Sequence, residues 1–179
     1  MDVQQEAPTG TLDTRVLRTT FGAFATGVTV VTVGGAAPHG MTANSFTSVS
    51  LDPPLVSVCV ERQAIMHASL TDAGLFGVSV LSARQEAVAR HFANRHRPLG
   101  RQQFDAVDWL PGERTGAPLI AGALAHFECR VWRRYDGGDH TIFLGELLAA
   151  GGGVAPGDAL LFLAGRFHAL EPVPTEAPR

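Results

Sequence analysis

Residues 123–150 read ALAHFECRVWRRYDGGDHTIFLGELLAA. Two runs of apolar, β-branched and aromatic residues flank Asp136-Gly137-Gly138-Asp139, and glycine supplies the positive φ that a tight reversal needs. This predicts two long antiparallel strands joined by a hairpin. Further strands follow from the same test at VTVVTV (28–33), from near Met41, at PLVSVCVE (54–61), at LFGVSVL (75–81) and at ALLFLAGRFHAL (159–170), with GGAAPHG (34–40) as a turn.

Helices are expected in three places. DTRVLRTTFGAFATG (13–27) puts Val16, Leu17, Phe21, Phe24 and Ala25 on one helical face, with Asp13 able to cap its start and Gly27 to end it. A short helix fits 63–72. SARQEAVARHFANR (82–95) opens with Ser82 and Gln85 at capping-box spacing and sets Val88 and Phe92 one turn apart. Residues 94–118 read as a polar, proline-bearing excursion. Many strands with few helices argue for an antiparallel β-barrel or sandwich, and closure removes exposed edges.

The chain has 179 residues, 45% of them hydrophobic, which suits one domain with a sizeable core. The expected domain covers 13–170, between polar tails at 1–12 and 171–179. A net charge of −3 gives no global positive field to draw the chain onto nucleic acid or an anionic membrane. No apolar run reaches the roughly 20 residues of a membrane-spanning helix, and the acidic start lacks a secretory layout. A cytoplasmic location is expected, with Cys59 and Cys129 as reduced core thiols.

There is no G-x-G-x-x-G, no G-x-x-x-x-G-K-[ST], no G-x-S-x-G and no grouping of the seven histidines at metal-ligand spacing. Arg84, Arg90, Arg95, Arg97 and Arg101 form a basic run that is either a solvated face or a holder for a ligand's phosphate. GMTANSFTSVSLDPP (40–54) is dense in short neutral hydrogen-bonding side chains, which either cradle a flat polar heterocycle or satisfy their own backbone. His140, on the return of the hairpin, is rigidly aimed and is of the side-chain type that titrates near neutral pH.

Four blocks in this order resemble the flavin reductase family: TGVTVVTV with GMTANSFTSVSLDPPLVSVCV, FGVSVLSARQEAVARHFA, GALAHFECRV with GGDHTIFLGE, and GRFHAL. The resemblance implies a mainly β fold, an FMN-binding split β-barrel of Greek-key type with a few flanking helices, assembled as a homodimer. It implies hydride transfer from NADH or NADPH to FMN or FAD, and delivery of reduced flavin to a separate flavin-dependent monooxygenase. A flavoprotein with tightly bound FMN used for electron transfer, or a non-catalytic flavin-binding module, remain open beside it.

By the same resemblance, Thr42, Ala43, Asn44, Ser45 and Phe46 run along the flavin, with Ser48 and Val49 on the same side. Cys59, Val60, Gln63 and Ala64 add contacts, Phe92 and Ala93 lie near the cofactor, and His140 lies on the nicotinamide side. Gln63 stands where a small hydroxyl residue is common in the family, and Phe162 where tyrosine often stands. Asn44 and Ser45 are expected to hold the pyrimidine edge. The cofactors carry such chemistry themselves, so the missing nucleophile and metal motifs are consistent with it.

Overall fold

A computed structural model describes residues 12–152 and 158–170. The tails expected at 1–12 and 171–179 lie, apart from Leu12, outside the described residues. The hairpin forms as read: β9 (Ala125–Gly137) and β10 (His140–Gly152) pair antiparallel, with Gly138 at φ 79° and its N–H donating to Asp136 Oδ1 at 2.9 Å. Register shifts at Leu144/Gly145 and Leu147/Ala149 mark β-bulges that bend the long ribbon. At Gly145 a Cβ would lie 2.5 Å from the Phe76 ring, so only glycine lets that aromatic side chain pack against the ribbon.

The hairpin sits inside a seven-stranded antiparallel sheet. Its members are β2 (Thr29–Val33), β3 (His39–Ala43), β4 (Thr47–Leu51), β5 (Pro54–Glu61), β6 (Leu75–Val80), β9 and β10, in the order β3-β2-β6-β9-β10-β5-β4. Residues 44–46 alone connect β3 to β4, the two edges of that sheet. If flat, seven strands at a spacing of about 4.8 Å would hold the edges about 29 Å apart. Four Cα steps reach at most about 15 Å. The sheet must therefore curl until its edges approach, as in a split barrel, and 44–46 cross the split.

β2 is buried along its whole length. Val31 and Val33 join one core with Val58, Val78, Phe76 and Phe143 inside the curl, while Val28 and Val30 join a second with Leu81, Ala89, Phe92 and Phe104. A strand that walls off two cores reads as an unbroken β-branched run, here TVVTV, rather than as an apolar–polar alternation, and its two threonine hydroxyls donate to the carbonyls of Ala43 and Pro118.

Ser82 and Gln85 form the expected capping box, opening a 3₁₀ turn that leads into α3 (Glu86–Ala93), and α2 is Ile65–Ala73. Phe92 of α3 packs on Phe104 at 5.3 Å, and a Cβ on Gly40 would come within 2.6 Å of the Phe92 ring.

Four expectations need correction. GMTANSFTSVSLDPP is not one loop but most of β3, the irregular crossing 44–46, β4, a turn at Asp52-Pro53 and the first residue of β5, because the edge strands themselves carry most of the hydroxyls. The first helix, α1 (Thr14–Phe21), stops at Gly22 rather than Gly27, and none of its residues is buried. Residues 159–170 are two strands, β11 (Leu160–Leu163) and β12 (Arg166–Ala169), turned by Ala164 and Gly165 at positive φ. They join β1 (Thr26–Gly27) in a small separate sheet. Within 94–118 the structure adds the 3₁₀ segment Gly100–Phe104 and the first strand of the pair β7 (Trp109–Pro111) and β8 (Pro118–Ile120).

Candidate active site

A cavity of about 520 Å³ opens where the curled sheet is split. β3 and the crossing 44–46 form one side, the end of β5 and the start of α2 form another, and the end of α3 with the segment after it forms a third. His140 comes in from the hairpin. The volume lies within the range of small-molecule and cofactor sites.

Of the residues expected at the site, Thr42, Ala43, Asn44, Ser45, Cys59, Gln63, Ala64, Phe92, Ala93 and His140 all line this cavity. Four do not. Val60 points into the core, where strand alternation sends the neighbour of Cys59, and Phe46 packs on Phe127 at 5.2 Å. Ser48 and Val49 sit exposed on β4, beyond the cavity. His39, Met41, Glu61, Ile65, Met66, Arg95, Arg97 and Leu99 line it in addition. The basic run was the only sequence signal for any of these.

The hydroxyls divide differently from expectation. Thr42 Oγ1 donates to the carbonyl of Ala89 at 2.6 Å, tying β3 to α3. Ser45 Oγ donates to the Cys59 carbonyl and accepts from its N–H, each at 3.0 Å, and so ties the crossing segment to β5. These side chains satisfy the chain's own backbone. The side-chain amides of Asn44 and Gln63 make no hydrogen bond among the described residues and are free for a ligand.

His140 is aimed by its neighbour. Its Nδ1 lies 2.7 Å from Asp139 Oδ1, and a carboxylate can only accept, so Nδ1 carries the proton and a neutral ring offers Nε2 as an acceptor. The hydrogen bond from His140, joined by the ring's charge whenever it is protonated, holds the Asp139 carboxyl below the usual range. Asp139 thus fixes the orientation of the His140 ring.

The opposite wall is held by Gln103, which is fully buried. It accepts from the Gly40 N–H at 2.9 Å and donates to the carbonyls of Pro38 and Gly100, each at 2.9 Å. His39 is pushed down to about 4 by burial and then by the Arg97 charge, so it is neutral near pH 7. Burial also raises the Cys59 thiol, and raises Cys129 to about 12, so neither is a thiolate nucleophile. Among the described residues no group of His, Cys, Asp or Glu could hold a metal ion.

The cavity fits a flavin. It is mainly neutral, it is closed by Phe92 and aliphatic side chains, and it presents free amides and an aimed imidazole at its rim. Comparison with known proteins agrees. Residues 21–171 match the flavin reductase like domain family. The chain is 61% identical over 156 residues to an NADH-dependent FAD reductase of Streptomyces globisporus, covering 87% of this chain and 85% of that one.

Two solved structures share the fold. BorF, the flavin reductase component of a bacterial two-component tryptophan halogenase, aligns with TM-score 0.85 at 60% identity, over 90% of this chain and 100% of that one. The Streptomyces globisporus NADH:FAD oxidoreductase SgcE6, solved with NAD and FAD fragments, aligns with TM-score 0.84 at 56% identity, over 92% and 96%. With a matched fold, a cavity of the right character and relatives of this identity over most of their length, the chain belongs to the flavin reductase like domain family, the NAD(P)H-dependent flavin reductases.

Proposed function

We propose that this chain reduces FMN or FAD with NADH or NADPH and releases the reduced flavin to a separate flavin-dependent enzyme. A monooxygenase is the expected recipient, and the halogenase partnership of BorF widens the class. When both nucleotides are bound, the nicotinamide supplies a hydride and the flavin ring accepts it. The observation that carries this reading is the split-barrel cavity, where Asn44 on the crossing segment and Gln63 after β5 offer free amides and His140, paired across the ladder with Glu61, reaches the same space.

The residues bind and orient. Asn44 and the backbone N–H groups of 44–45 hold the polar edge of the ring, in place of the Thr42 and Ser45 hydroxyls, which are engaged elsewhere. Phe92 and Ala93 close its far side. His140, fixed by Asp139, accepts a hydrogen bond at Nε2 from the nicotinamide carboxamide. Each neutral hydrogen bond contributes about 0.5–1.5 kcal/mol. Micromolar binding needs about −8.2 kcal/mol in total. A few such bonds plus ring burial reach that level and still let flavin leave.

We also propose a homodimer built on residues 13–170 and working in the cytoplasm. Phe21 at the end of α1 and Phe24 beyond it are 70% and 77% exposed, and with exposed Leu12 and Val16 they give more apolar surface than a monomer comfortably presents to water. The thiols of Cys59 and Cys129 are free, and no helix among the described residues is long and apolar enough to cross a membrane.

Mixing the protein with NADH, air and graded FMN or FAD tests the activity. NADH oxidation should saturate with added flavin; a yellow protein whose turnover ignores added flavin would point to a tightly held cofactor. His140→Ala should raise KM for NADH about tenfold, the worth of one oriented hydrogen bond, with flavin affinity near wild type. Asp139→Asn should move the same parameter less.

A further inference from the structure

The wall formed by residues 94–99 carries two guanidinium groups into the cavity, and they are not equivalent. Arg95 Nη2 pairs with Glu61 Oε2 at 3.2 Å, an exposed contact worth little. Arg97 is half-buried and is held entirely by neutral acceptors. Its Nη1 donates to the Asn94 carbonyl at 2.8 Å, its Nη2 to the Gly40 carbonyl and toward His39 Nε2, and its Nε toward Gln103 Oε1 at 3.4 Å. The guanidinium also lies 5.7 Å from the centre of the Phe92 ring.

Among the described residues no carboxylate lies within ion-pair distance of Arg97. His39 is uncharged near pH 7, so nothing on its own wall balances the charge. The formally charged residues on the lining are thus Glu61, Arg95 and Arg97, one cation in excess. A partly desolvated cation fixed by four neutral partners, with one Nη1 donor still free, is a site prepared for an anion that arrives with the ligand.

We propose that Arg97, assisted by Arg95, is an anion subsite that takes a phosphate group of the nucleotide bound in the cavity. The assignment rests on the flavin reductase reading. On binding, the phosphate replaces Glu61 as the partner of Arg95 and receives the free Nη1 donor of Arg97. Both flavin nucleotides and nicotinamide nucleotides carry such a group, and the ligand series separates the two sources.

The test is equilibrium titration of riboflavin, FMN and FAD, followed by fluorescence, beside steady-state KM for NADH. The proteins are wild type, Arg97→Gln, Arg97→Lys and Glu61→Gln. If the phosphate belongs to flavin, Arg97→Gln weakens FMN and FAD about tenfold and riboflavin less than about twofold. If it belongs to the nicotinamide nucleotide, flavin affinities hold and KM for NADH rises about tenfold. Arg97→Lys should restore part of either loss.

Glu61→Gln disturbs none of the Arg97 contacts. It frees Arg95 and should tighten the phosphate-bearing ligand about two- to threefold, an increase that damage to the fold would not produce. Equal weakening of riboflavin and FMN by Arg97→Gln, or no change in any ligand, would overturn the subsite, and no response to Glu61→Gln would remove Arg95 from it. A wild-type protein that neither binds flavin nor oxidises NADH would instead defeat the flavin reductase reading, whatever Arg97 does.

Discussion

Two helices of eight residues each, α1 and α3, carry apolar stripes in sequence and meet different fates. α3 lays Ala89 and Phe92 into the second core, with Phe92 1% exposed, and its last turn forms a wall of the cavity. α1 buries nothing, and Phe21 at its end is 70% exposed. Amphipathicity says that a face will be covered, not by what. The chain covers α3 itself, and the proposed homodimer assigns the covering of α1 to a second copy.

Perturbing each helix in turn would sharpen or break that contrast. Phe92→Ala should have the largest effect, a loss of about 3–5 kcal/mol read by urea unfolding, together with loss of flavin binding. A loss below about 1 kcal/mol would mean that α3 is no better anchored than α1.

Acid comes next, through His39 on the wall that α3 supports. Its folded value of about 4 lies below the usual 6.5, so the unfolded chain takes up the proton first as pH falls. The stabilisation is complete above about pH 6.5 and is lost as pH falls toward 4. Between pH 7.5 and 5 it should account for on the order of 2 kcal/mol, and His39→Gln should flatten that part of the stability profile. Unchanged pH dependence in the variant would show that His39 is not the group responsible.

Phe21→Ser with Phe24→Ser should change the stability of the isolated chain by only about 0.5 kcal/mol, yet halve the mass seen by sedimentation. A loss of several kcal/mol at unchanged mass would mean that α1 packs on its own chain, and the contrast would fall. Smallest of all, Glu86→Gln removes the i,i+4 contact with Arg90 at 2.7 Å on the exposed side of α3, for about 0.3–0.5 kcal/mol by thermal melting.

Much of the fold was legible because the signals were local. The Asp136-Gly137-Gly138-Asp139 turn, the Ser82 capping box and the apolar runs of β2, β5 and β6 each depend on neighbours along the chain. The strand pair at 109–120 was not legible, since three-residue strands are too short to show a period. Residues 159–170 were read as one strand because Ala164-Gly165 is a weak turn signal inside an apolar run. At the site, ten of the fourteen expected residues line the cavity. Val60 faces the core because adjacent strand positions point opposite ways, and Phe46 on the crossing turns onto Phe127; resemblance by block does not separate such residues from their neighbours.

The sequence by itself determined the strand-rich class, the hairpin that presents His140, the cap that starts the helix ending at Phe92, and membership of the flavin reductase family. Only the tertiary structure decided that Thr42 and Ser45 spend their hydroxyls on Ala89 and Cys59, that Asp139 aims His140, and that Arg97 reaches the backbone of Gly40, 57 residues away. The reason is physical. Turns, caps and periodicity are set by a few adjacent residues, whereas the partner of a polar side chain and the charge balance of a cavity depend on which distant segments the curl of the sheet brings together.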